Sequence, residues 1–334
     1  MTRFDVCSIG NAIVDVLTEA PDTAIAEYEL NRGTMTLIDE ERADFLTSVM
    51  GDRVVEAGGS AGNTAVGLAG LGARSAYIGK VRDDDLGHQF ANSMHQHGVH
   101  YDTSFLSESL GTARCLIFVT PDGERTMNTY LGASTLLKPQ DIDPQVVGES
   151  AITYMEGYLW DREDAKAAFR RAMEIAHAKG RLTSLSLSDP FCVERFRAEF
   201  LDLVTSGQID ILFANEEELK SLYSTSDYAQ AQAAIKATGK LACVTRGLKG
   251  SEIIQGQEVV SVPVFNIPKR VDTTGAGDLY AAGFLYGYTS GQSLAECGEL
   301  ASRSGAAVIQ RFGARLTVEQ CDAIKSNAME TGAD

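Results

Sequence analysis

The sequence lacks long apolar segments and closely spaced cysteines. No window approaches the roughly 18 uninterrupted apolar residues that suggest a transmembrane helix, and Asp5 and Gly10-Asn11 interrupt the first residues before a signal-peptide apolar region could form. Six cysteines are scattered without a C-x-x-C pair, which favours buried thiols in a reducing compartment over disulfides or a zinc site. We therefore expect a cytoplasmic protein with no membrane partner.

Basic residues are also scarce. Lysine and arginine number 29 against 46 aspartate and glutamate residues, which gives a formal net charge of -17. This excess repels nucleic-acid phosphates at long range and disfavours docking on anionic lipid. A small phosphate ligand stays compatible with it, because a few backbone N–H groups can bind an anion locally. We expect small-molecule ligands and no nucleic-acid partner.

Two common nucleotide-binding motifs are missing. The chain contains no G-x-x-x-x-G-K-[ST], and no G-x-G-x-x-G follows the first predicted strand, so a Walker phosphate loop and a dinucleotide fold are disfavoured. His88, His95, His97 and His100 lie close in sequence but lack the i,i+4 spacing of a helical metal site. We interpret these histidines as solvated helix-end residues.

The apolar pattern predicts an α/β fold. The 334 residues are enough for two domains or one large domain with an addition. Short apolar runs alternate with helical stretches; the predicted strands are 6–9, 75–78, 152–155, 182–187, 209–213 and 242–245, and the predicted helices are 62–71, 86–97, 164–178, 216–222, 276–288 and 294–309. This alternation predicts a doubly wound, mostly parallel sheet with helices on both faces.

Two segments interrupt the alternation and predict a small separate β-sheet. Residues 14–57 contain short β-like segments around one helix at 40–50, and residues 112–131 form a predicted hairpin around Pro121-Asp122-Gly123. We interpret these segments as a lid. The large nucleotide- and substrate-binding domain would then comprise residues 1–13, 58–111 and 132–334.

The segment Gly275-Ala276-Gly277-Asp278 at a predicted helix start is suited to phosphoryl chemistry. Glycines there let consecutive backbone N–H groups converge on one anion, and the helix dipole favours negative charge. A carboxylate beside an anion site fits a base that accepts a proton from an attacking hydroxyl. The alternative is a glycine-rich turn in which Asp278 is only a favourable helix N-terminal charge.

A second glycine cluster, Gly58-Gly59-Ser60-Ala61-Gly62-Asn63, also opens a helix. It allows close approach to a ligand, with the Asn63 amide free to bind sugar hydroxyls. It also matches G-x-S-x-G, the nucleophile elbow of serine hydrolases, for which Asp161 and His177 would complete a triad. A tight turn without chemistry is the third interpretation.

Two further segments follow predicted strands at the sheet edge where open α/β sheets bind ligands. Asn215 and Glu218 supply hard oxygens that could organise Mg²⁺ with its waters, or they simply complement a helix N-terminus. Thr245, Gly247 and Gly250 offer a hydroxyl and small residues for a phosphate, or form a hairpin turn.

Together, in order along the chain, these four motifs resemble the ribokinase-like (PfkB) family of carbohydrate and nucleoside kinases. Within that family the chain is most similar to the adenosine kinase branch, on the segments Gly10-Asn11-Ala12-Ile13-Val14-Asp15, Arg125–Gly132 and Leu187–Phe191. The resemblance implies a ribokinase-like fold with a β lid, present as a monomer or homodimer. It implies transfer of the γ-phosphoryl group of ATP to a hydroxyl, with Mg²⁺ bound.

The resemblance also implies residue roles. Asp278 would be the base, with Gly275, Ala276 and Gly277 as the anion hole. The implied acceptor-binding residues are Asn11, Ile13, Asp15, Gly58, Gly59, Asn63, Arg125 and Phe191. The implied ATP-binding residues are Asn215, Glu218, Thr245, Gly247 and Gly250. Glu218 would hold Mg²⁺ through water, and a monovalent cation such as K⁺ would lie near Asp272.

The expected acceptor is the 5′-hydroxyl of a purine nucleoside, adenosine first. Apolar and aromatic residues expected near the Asn11–Asp15 motif would bury a purine, whereas a free sugar would leave hydroxyls unpaired against them. Those residues are Ile13, Met35, Tyr158, Leu159 and Phe191. A sugar kinase of the same family is the alternative, and a hydrolase that uses Ser60 is the remote one.

Overall fold

The computed structural model describes residues 2–327 and residue 329, which contain two β-sheets. The larger sheet has eight strands in the order β13-β12-β11-β10-β9-β8-β1-β5. These strands are β1 (Phe4–Ile9), β5 (Ser75–Ile78), β8 (Ser150–Glu156), β9 (Leu182–Ser186), β10 (Ile211–Asn215), β11 (Leu241–Thr245), β12 (Ser251–Gln255) and β13 (Glu258–Val262). The ladders from β5 to β11 are parallel, and β12 and β13 add an antiparallel edge. The predicted mostly parallel sheet is confirmed.

Helices cover both faces of this sheet because its strands are apolar on both sides. Val6 and Phe213 pack into the core on one face, whereas their neighbours Cys7 and Leu212 pack into the core on the other face. The large-domain helices are α3 (Ser60–Leu71), α4 (Asp85–Gln96), α5 (Pro144–Gly148), α6 (Glu163–Ala178), α7 (Pro190–Thr205), α8 (Glu216–Leu222), α9 (Tyr228–Thr238), α10 (Ala276–Thr289), α11 (Leu294–Val308) and α12 (Val318–Lys325). Along residues 2–327, no helix is long and apolar enough to cross a membrane.

The smaller sheet has five strands in the order β3-β7-β6-β2-β4. They are β2 (Ile13–Glu19), β3 (Met35–Leu37), β4 (Arg53–Ala57), β6 (Ala113–Val119) and β7 (Arg125–Tyr130). The β6–β7 pair is an antiparallel hairpin in which Gly123 has a φ of +84°, a conformation that favours glycine in the turn. We call this sheet the lid. Helix α1 (Asp22–Glu27) connects β2 to β3, and helix α2 (Glu40–Val49) connects β3 to β4.

The face of the lid that carries Asp15 follows from the register. Asp15 lies opposite Glu56 on β4 and opposite Cys115 on β6. Thr129 and Leu37 continue the same row on β7 and β3. Directly opposed residues share a face. Asp15, Glu56 and Leu37 therefore lie on one face, which we call the inner face.

Several elements were not predicted: α1, α5, α7, α9, α12, β12 and β13. Helix α7 contains a non-helical residue, Phe196 (φ −119°, ψ 20°), which interrupts its apolar period. Helix α9 buries only Ala231 and Ile235, so its apolar stripe is weak. The β12–β13 hairpin follows directly after the Thr245–Gly250 turn, in a segment for which no element was predicted.

Candidate active site

The predicted site residues converge where β1 and β8 end and α3 and α10 begin. Helix α10 starts after Gly275, which has a φ of +77°, and it packs against α3. The lid contributes Asp15 through β2. This is the carboxyl edge of a parallel sheet, the place where such folds bind ligands.

Asp278 occupies the third position of α10 and is held by two side chains of α3. Ser60 Oγ donates to Asp278 Oδ1 at 2.7 Å, and Asn63 Nδ2 donates to Oδ2 at 3.0 Å. Burial raises the pKa of Asp278 to about 6, although these two hydrogen bonds oppose the shift. The carboxylate is thus fixed in position and stays ionised at neutral pH, as a general base requires.

The start of α10 has the features of an anion cradle. A Cβ on Gly275 would lie 2.8 Å from Ala314, so this turn is built for glycine. Among the described residues, no atom lies within 4 Å of a Cβ placed on Gly277, so the helix start is open on that side. The first N–H groups of a helix have no intrahelical acceptor and carry partial positive charge. The residues present therefore fit a bound phosphate.

Asn63 has one unused polar atom at the site. Its Nδ2 is held by Asp278, but within the part of the chain that the structure describes its buried Oδ1 has no hydrogen-bond partner. A buried carbonyl oxygen without a donor costs about 1–3 kcal/mol. A ligand hydroxyl would satisfy it.

Asp15 lies beside the glycine pair at the start of α3. A Cβ on Gly58 would lie 2.4 Å from Asp15 Oδ2, and one on Gly59 (φ +82°) would lie 2.3 Å from the Asn11 carbonyl oxygen. These glycines therefore let the lid strand approach closely. Burial raises the pKa of Asp15 to about 7, while the positive charges of Arg125 and Arg315 oppose that rise.

Glu156, the last residue of β8, is a site residue that sequence reasoning missed. Its Oε1 accepts hydrogen bonds from the Asn11 backbone N–H (2.7 Å) and Nδ2 (2.8 Å), and its Oε2 accepts one from the Ala61 N–H (2.7 Å). Burial raises the pKa of Glu156 to about 7, against these donors. A lone glutamate in the apolar strand Ser150–Glu156 was the available signal.

Asn11 is held at both ends of its amide. Its Nδ2 donates to Glu156, and its Oδ1 accepts from Ser134 Oγ at 2.8 Å. Asn11 therefore ties β1 to β8 and to residue 134 of the chain. Ser134 is the second site residue that the sequence did not reveal.

The lid is joined to the α10 loop by a buried ion pair. Arg125 Nη1 donates to Asp272 Oδ2 at 2.7 Å and to Thr274 Oγ1 at 3.1 Å. Asp272 also accepts from the Gly313 N–H at 3.1 Å. The predicted monovalent cation near Asp272 would have to share this carboxylate with the guanidinium of Arg125. The structure thus places the guanidinium of Arg125 against the loop before α10, while its role toward the acceptor stays a prediction.

The predicted nucleotide residues lie farther along the same sheet edge. Asn215 and Glu218 form a capping box at the start of α8, in which the Asn215 N–H donates to Glu218 Oε2 at 2.9 Å. Burial raises the pKa of Glu218 to about 7. In residues 2–327 and 329, no cluster of three His, Cys, Asp or Glu could hold a metal alone. This donor set suits Mg²⁺ held through water and substrate phosphates.

The Thr245–Gly250 turn follows β11 next to β10. Gly247 has a φ of +57°, and a Cβ on Gly250 would lie 2.1 Å from the Val262 carbonyl oxygen. Arg246 is fixed by ion pairs with Glu216 (2.9 Å) and Glu252 (2.6 Å). These contacts hold the turn in place beside the Asn215 cap, where it could contact a nucleotide.

The apolar residues expected around the acceptor are only partly placed there. Ile13 lies two residues before Asp15 on the same strand, and Met35 is exposed on the inner face. The Tyr158 hydroxyl donates to the Ser188 carbonyl oxygen, and the ring is partly exposed. Phe191 is 68% exposed at the start of α7. Leu159 is a correction, because it is buried in the core of the large domain.

The serine hydrolase interpretation is wrong. Ser60 donates to Asp278, Asp161 pairs with Arg195, and His177 contacts Asp210 at 3.1 Å. The three residues of the supposed triad therefore have separate partners in separate places. Trp160 is fully buried in the core.

Solved structures and curated sequences match this chain closely. An adenosine kinase of Sinorhizobium meliloti is 50% identical with a TM-score of 0.90, covering 98% of this chain and 100% of that chain. A probable sugar kinase of Rhizobium etli CFN 42 is 48% identical with a TM-score of 0.90 and the same coverage. Probable fructokinase-3 of Arabidopsis thaliana is 28% identical over 79% of this chain and 80% of its own length.

The fold and site define a phosphotransferase that acts on an alcohol group. Residues 35–321 match the pfkB family of carbohydrate kinases. The chain belongs to that family. Its relatives include proteins named for sugars and for a nucleoside, so the family fixes the kinase reaction and leaves the acceptor to be argued from the site.

Proposed function

We propose that the protein transfers the γ-phosphoryl group of ATP to the 5′-hydroxyl of adenosine. The observation that carries this proposal is the apolar inner face of the lid beside Asp15. Met35 is 47% exposed and Leu37 is 57% exposed on that face. Leu17 lies two residues beyond Asp15 on the same strand and is half-buried.

A purine gains from this environment and a free sugar does not. Burying apolar surface is worth about 25 cal/mol per Å², and the flat face of a base offers such surface. A sugar without a base would leave polar groups against Met35 and Leu37 unpaired. The ribose of a nucleoside would instead reach the polar cluster of Asp15 and the Asn63 Oδ1 atom. The 50% identity to an adenosine kinase supports the same choice.

The reaction follows from the arrangement of side chains. An acceptor hydroxyl beside Asp278 transfers its proton to that carboxylate as its oxygen attacks the γ-phosphorus. The bond from the γ-phosphorus to the β,γ-bridging oxygen breaks, and ADP leaves with that oxygen. The N–H groups at the start of α10 stabilise negative charge on the phosphoryl oxygens. Bound Mg²⁺ would neutralise further phosphate charge, with Glu218 and Asn215 holding its waters. Lid closure would exclude water, the competing nucleophile.

A panel of acceptors tests the proposal. We expect kcat/KM for adenosine to exceed that for inosine, guanosine, ribose and fructose, with ribose and fructose at least about tenfold lower. ATP consumption by Asp278→Asn provides the background. A free sugar preferred by about tenfold would assign the chain to the sugar kinases instead.

A matched pair of lid variants tests the role of the apolar face. Leu37→Ser should raise KM for adenosine several-fold and leave any weak turnover of ribose unchanged, because only the base would touch this position. Phe45→Ser is the control, since Phe45 is also an exposed apolar residue, at 45% against 57% for Leu37, but lies on α2. Equal effects of Leu37→Ser on adenosine and ribose would contradict base binding at this face.

A further inference from the structure

The C-terminal segment 313–315 touches three parts of the site in succession. The Gly313 N–H donates to Asp272, and Ala314 packs against Gly275 at the start of α10. Arg315 then enters the space between the large domain and the lid. It lines a cavity of about 520 Å³ together with Glu56 of the lid and Ser93 of α4.

The guanidinium of Arg315 is buried and under-satisfied. Its Nη1 donates to Ser93 Oγ at 3.1 Å. Within residues 2–327, its buried Nε and Nη2 atoms have no hydrogen-bond partner. Unpaired donors on a buried charge are costly, so such a group calls for a functional explanation.

The charges that face Arg315 belong to the lid. Glu56 shares its cavity wall, and Asp15 is directly opposite Glu56 in the β2–β4 ladder. Arg315 therefore approaches a pair of carboxylates on neighbouring strands. Burial lowers the pKa of Arg315, and the charges of Asp15 and Glu56 oppose that shift.

We propose that Arg315 is a positioning residue of the acceptor site, whose positive charge keeps the Asp15 carboxylate ionised and directed at the acceptor hydroxyls. The negative charge of Glu56 has the opposite effect on Asp15. The proposal rests on the proposed role of Asp15 in acceptor binding. Arg315 offers charge to Asp15 without itself touching the reacting atoms.

The charged and titratable groups around Asp15 come from five elements. Glu56 faces it from β4, Cys115 from β6 and Arg125 from β7, and Asp278 faces it from α10. Arg315 completes the set from the C-terminal segment. Arg125 also has a buried Nε without a partner, but its guanidinium is paired with Asp272. Among the described residues Arg315 has no carboxylate ion pair, and two of its buried donors are without a partner.

Substitution of Arg315 tests this through the pH dependence of acceptor binding. In Arg315→Met the pKa of Asp15 should rise from about 7, so KM for the acceptor at pH 7 should increase about fivefold for the first unit of the rise and about tenfold for each further unit. At pH 9 Asp15 is ionised again, and KM should return toward that of the wild type. The value of kcat at saturating acceptor should change less than about twofold. Arg315→Lys should restore most of the affinity at pH 7.

Two other variants give the matched comparison. Glu56→Gln removes the opposing carboxylate and should move the acidic limb of kcat/KM to lower pH, the opposite direction from Arg315→Met. Arg311→Gln, on the same cavity wall but with an exposed side chain, should leave the limb in place. If Arg315→Met does not fold, Arg315→Gln takes its place for the shift to higher pH, and Glu56→Gln still measures the shift to lower pH.

The assays use whichever acceptor the panel ranks first, so a failure of the adenosine assignment leaves this test intact. Calorimetry with that acceptor, without ATP, gives the same comparison for binding alone. An increase in KM of equal size at every pH, together with a lower Tm, would show a purely structural role and overturn the proposal. An unchanged KM in Arg315→Met would also overturn it.

Discussion

Ser60 Oγ donates a hydrogen bond to Asp278 Oδ1 across 2.7 Å, joining the first residue of α3 to the third residue of α10. The same serine had suggested a hydrolase nucleophile by its G-x-S-x-G context. Its hydroxyl proton is directed at a carboxylate that burial keeps partly basic. In the proposed mechanism Ser60 therefore orients the base, and Asp278 would accept the proton.

Asp278→Asn should lower kcat by about 10²–10⁴ and leave nucleotide binding and Tm near those of the wild type. An amide keeps the size of the side chain but cannot accept the hydroxyl proton. Steady-state kinetics with ATP titration measures both parameters. Turnover within a few-fold of the wild type would remove Asp278 from the role of base.

Ser60→Ala should retain most of the phosphotransfer activity and shift its pH profile. The Ser60 hydrogen bond lowers the pKa of Asp278, so its loss should move the acidic limb of kcat above about pH 6. The kcat profile from pH 5 to 9 checks this. Complete loss of turnover with acceptor binding retained would contradict a role for Ser60 that is limited to orienting Asp278.

The two glycines of the anion cradle should respond differently to alanine. Gly277→Ala should keep Tm, because the added Cβ meets no described atom within 4 Å, and should lower activity by about 10² as the methyl group enters the phosphate space. Gly275→Ala should lower Tm as well, because of its φ of +77° and the contact with Ala314. Thermal unfolding and kcat of both variants distinguish the two effects. Equal Tm losses would mean that the space beside Gly277 is not free.

Glu156→Gln should alter how stability depends on pH. The folded-state pKa of Glu156 is raised from 4.5 to about 7, so its protonation favours the folded state fully below about pH 4.5, and that contribution is lost as pH rises toward 7. The wild type minus variant difference in free energy of unfolding should therefore fall by up to ~3 kcal/mol from pH 4.5 to 8. Urea unfolding of both proteins across this range measures it. A constant difference would show that the pKa of Glu156 is the same in the folded and unfolded states.

Features that depend on a few neighbouring residues could be predicted from the sequence. The glycine clusters at 58–59 and 275–277 indicated both helix starts, because a close approach of the backbone at a helix start requires glycine there. Short apolar runs that alternate with helical stretches likewise predicted the parallel strands. The Pro121-Asp122-Gly123 turn predicted the lid hairpin, because the residues that form the turn are neighbours in the sequence.

The residues that were missed act through contacts between distant parts of the chain. Glu156 and Ser134 meet Asn11 only in three dimensions, across 145 and 123 positions. A single glutamate at a strand end has no partner within a local window. Leu159 was misplaced for the converse reason, because the neighbouring Tyr158 is partly exposed while Leu159 turns into the core.

The place of β1 in the large sheet, next to the edge strand β5, has a consequence for how the chain is made. β1 is flanked by β5 and by β8, whose pairing begins with Phe4 opposite Ser150. Contacts of such long sequence separation slow folding. A nascent chain emerging from the ribosome therefore carries β1 with one open edge until residue 156, the end of β8, has been synthesised. The lid sheet is complete earlier, at residue 130, so during synthesis the smaller sheet can close before the larger one.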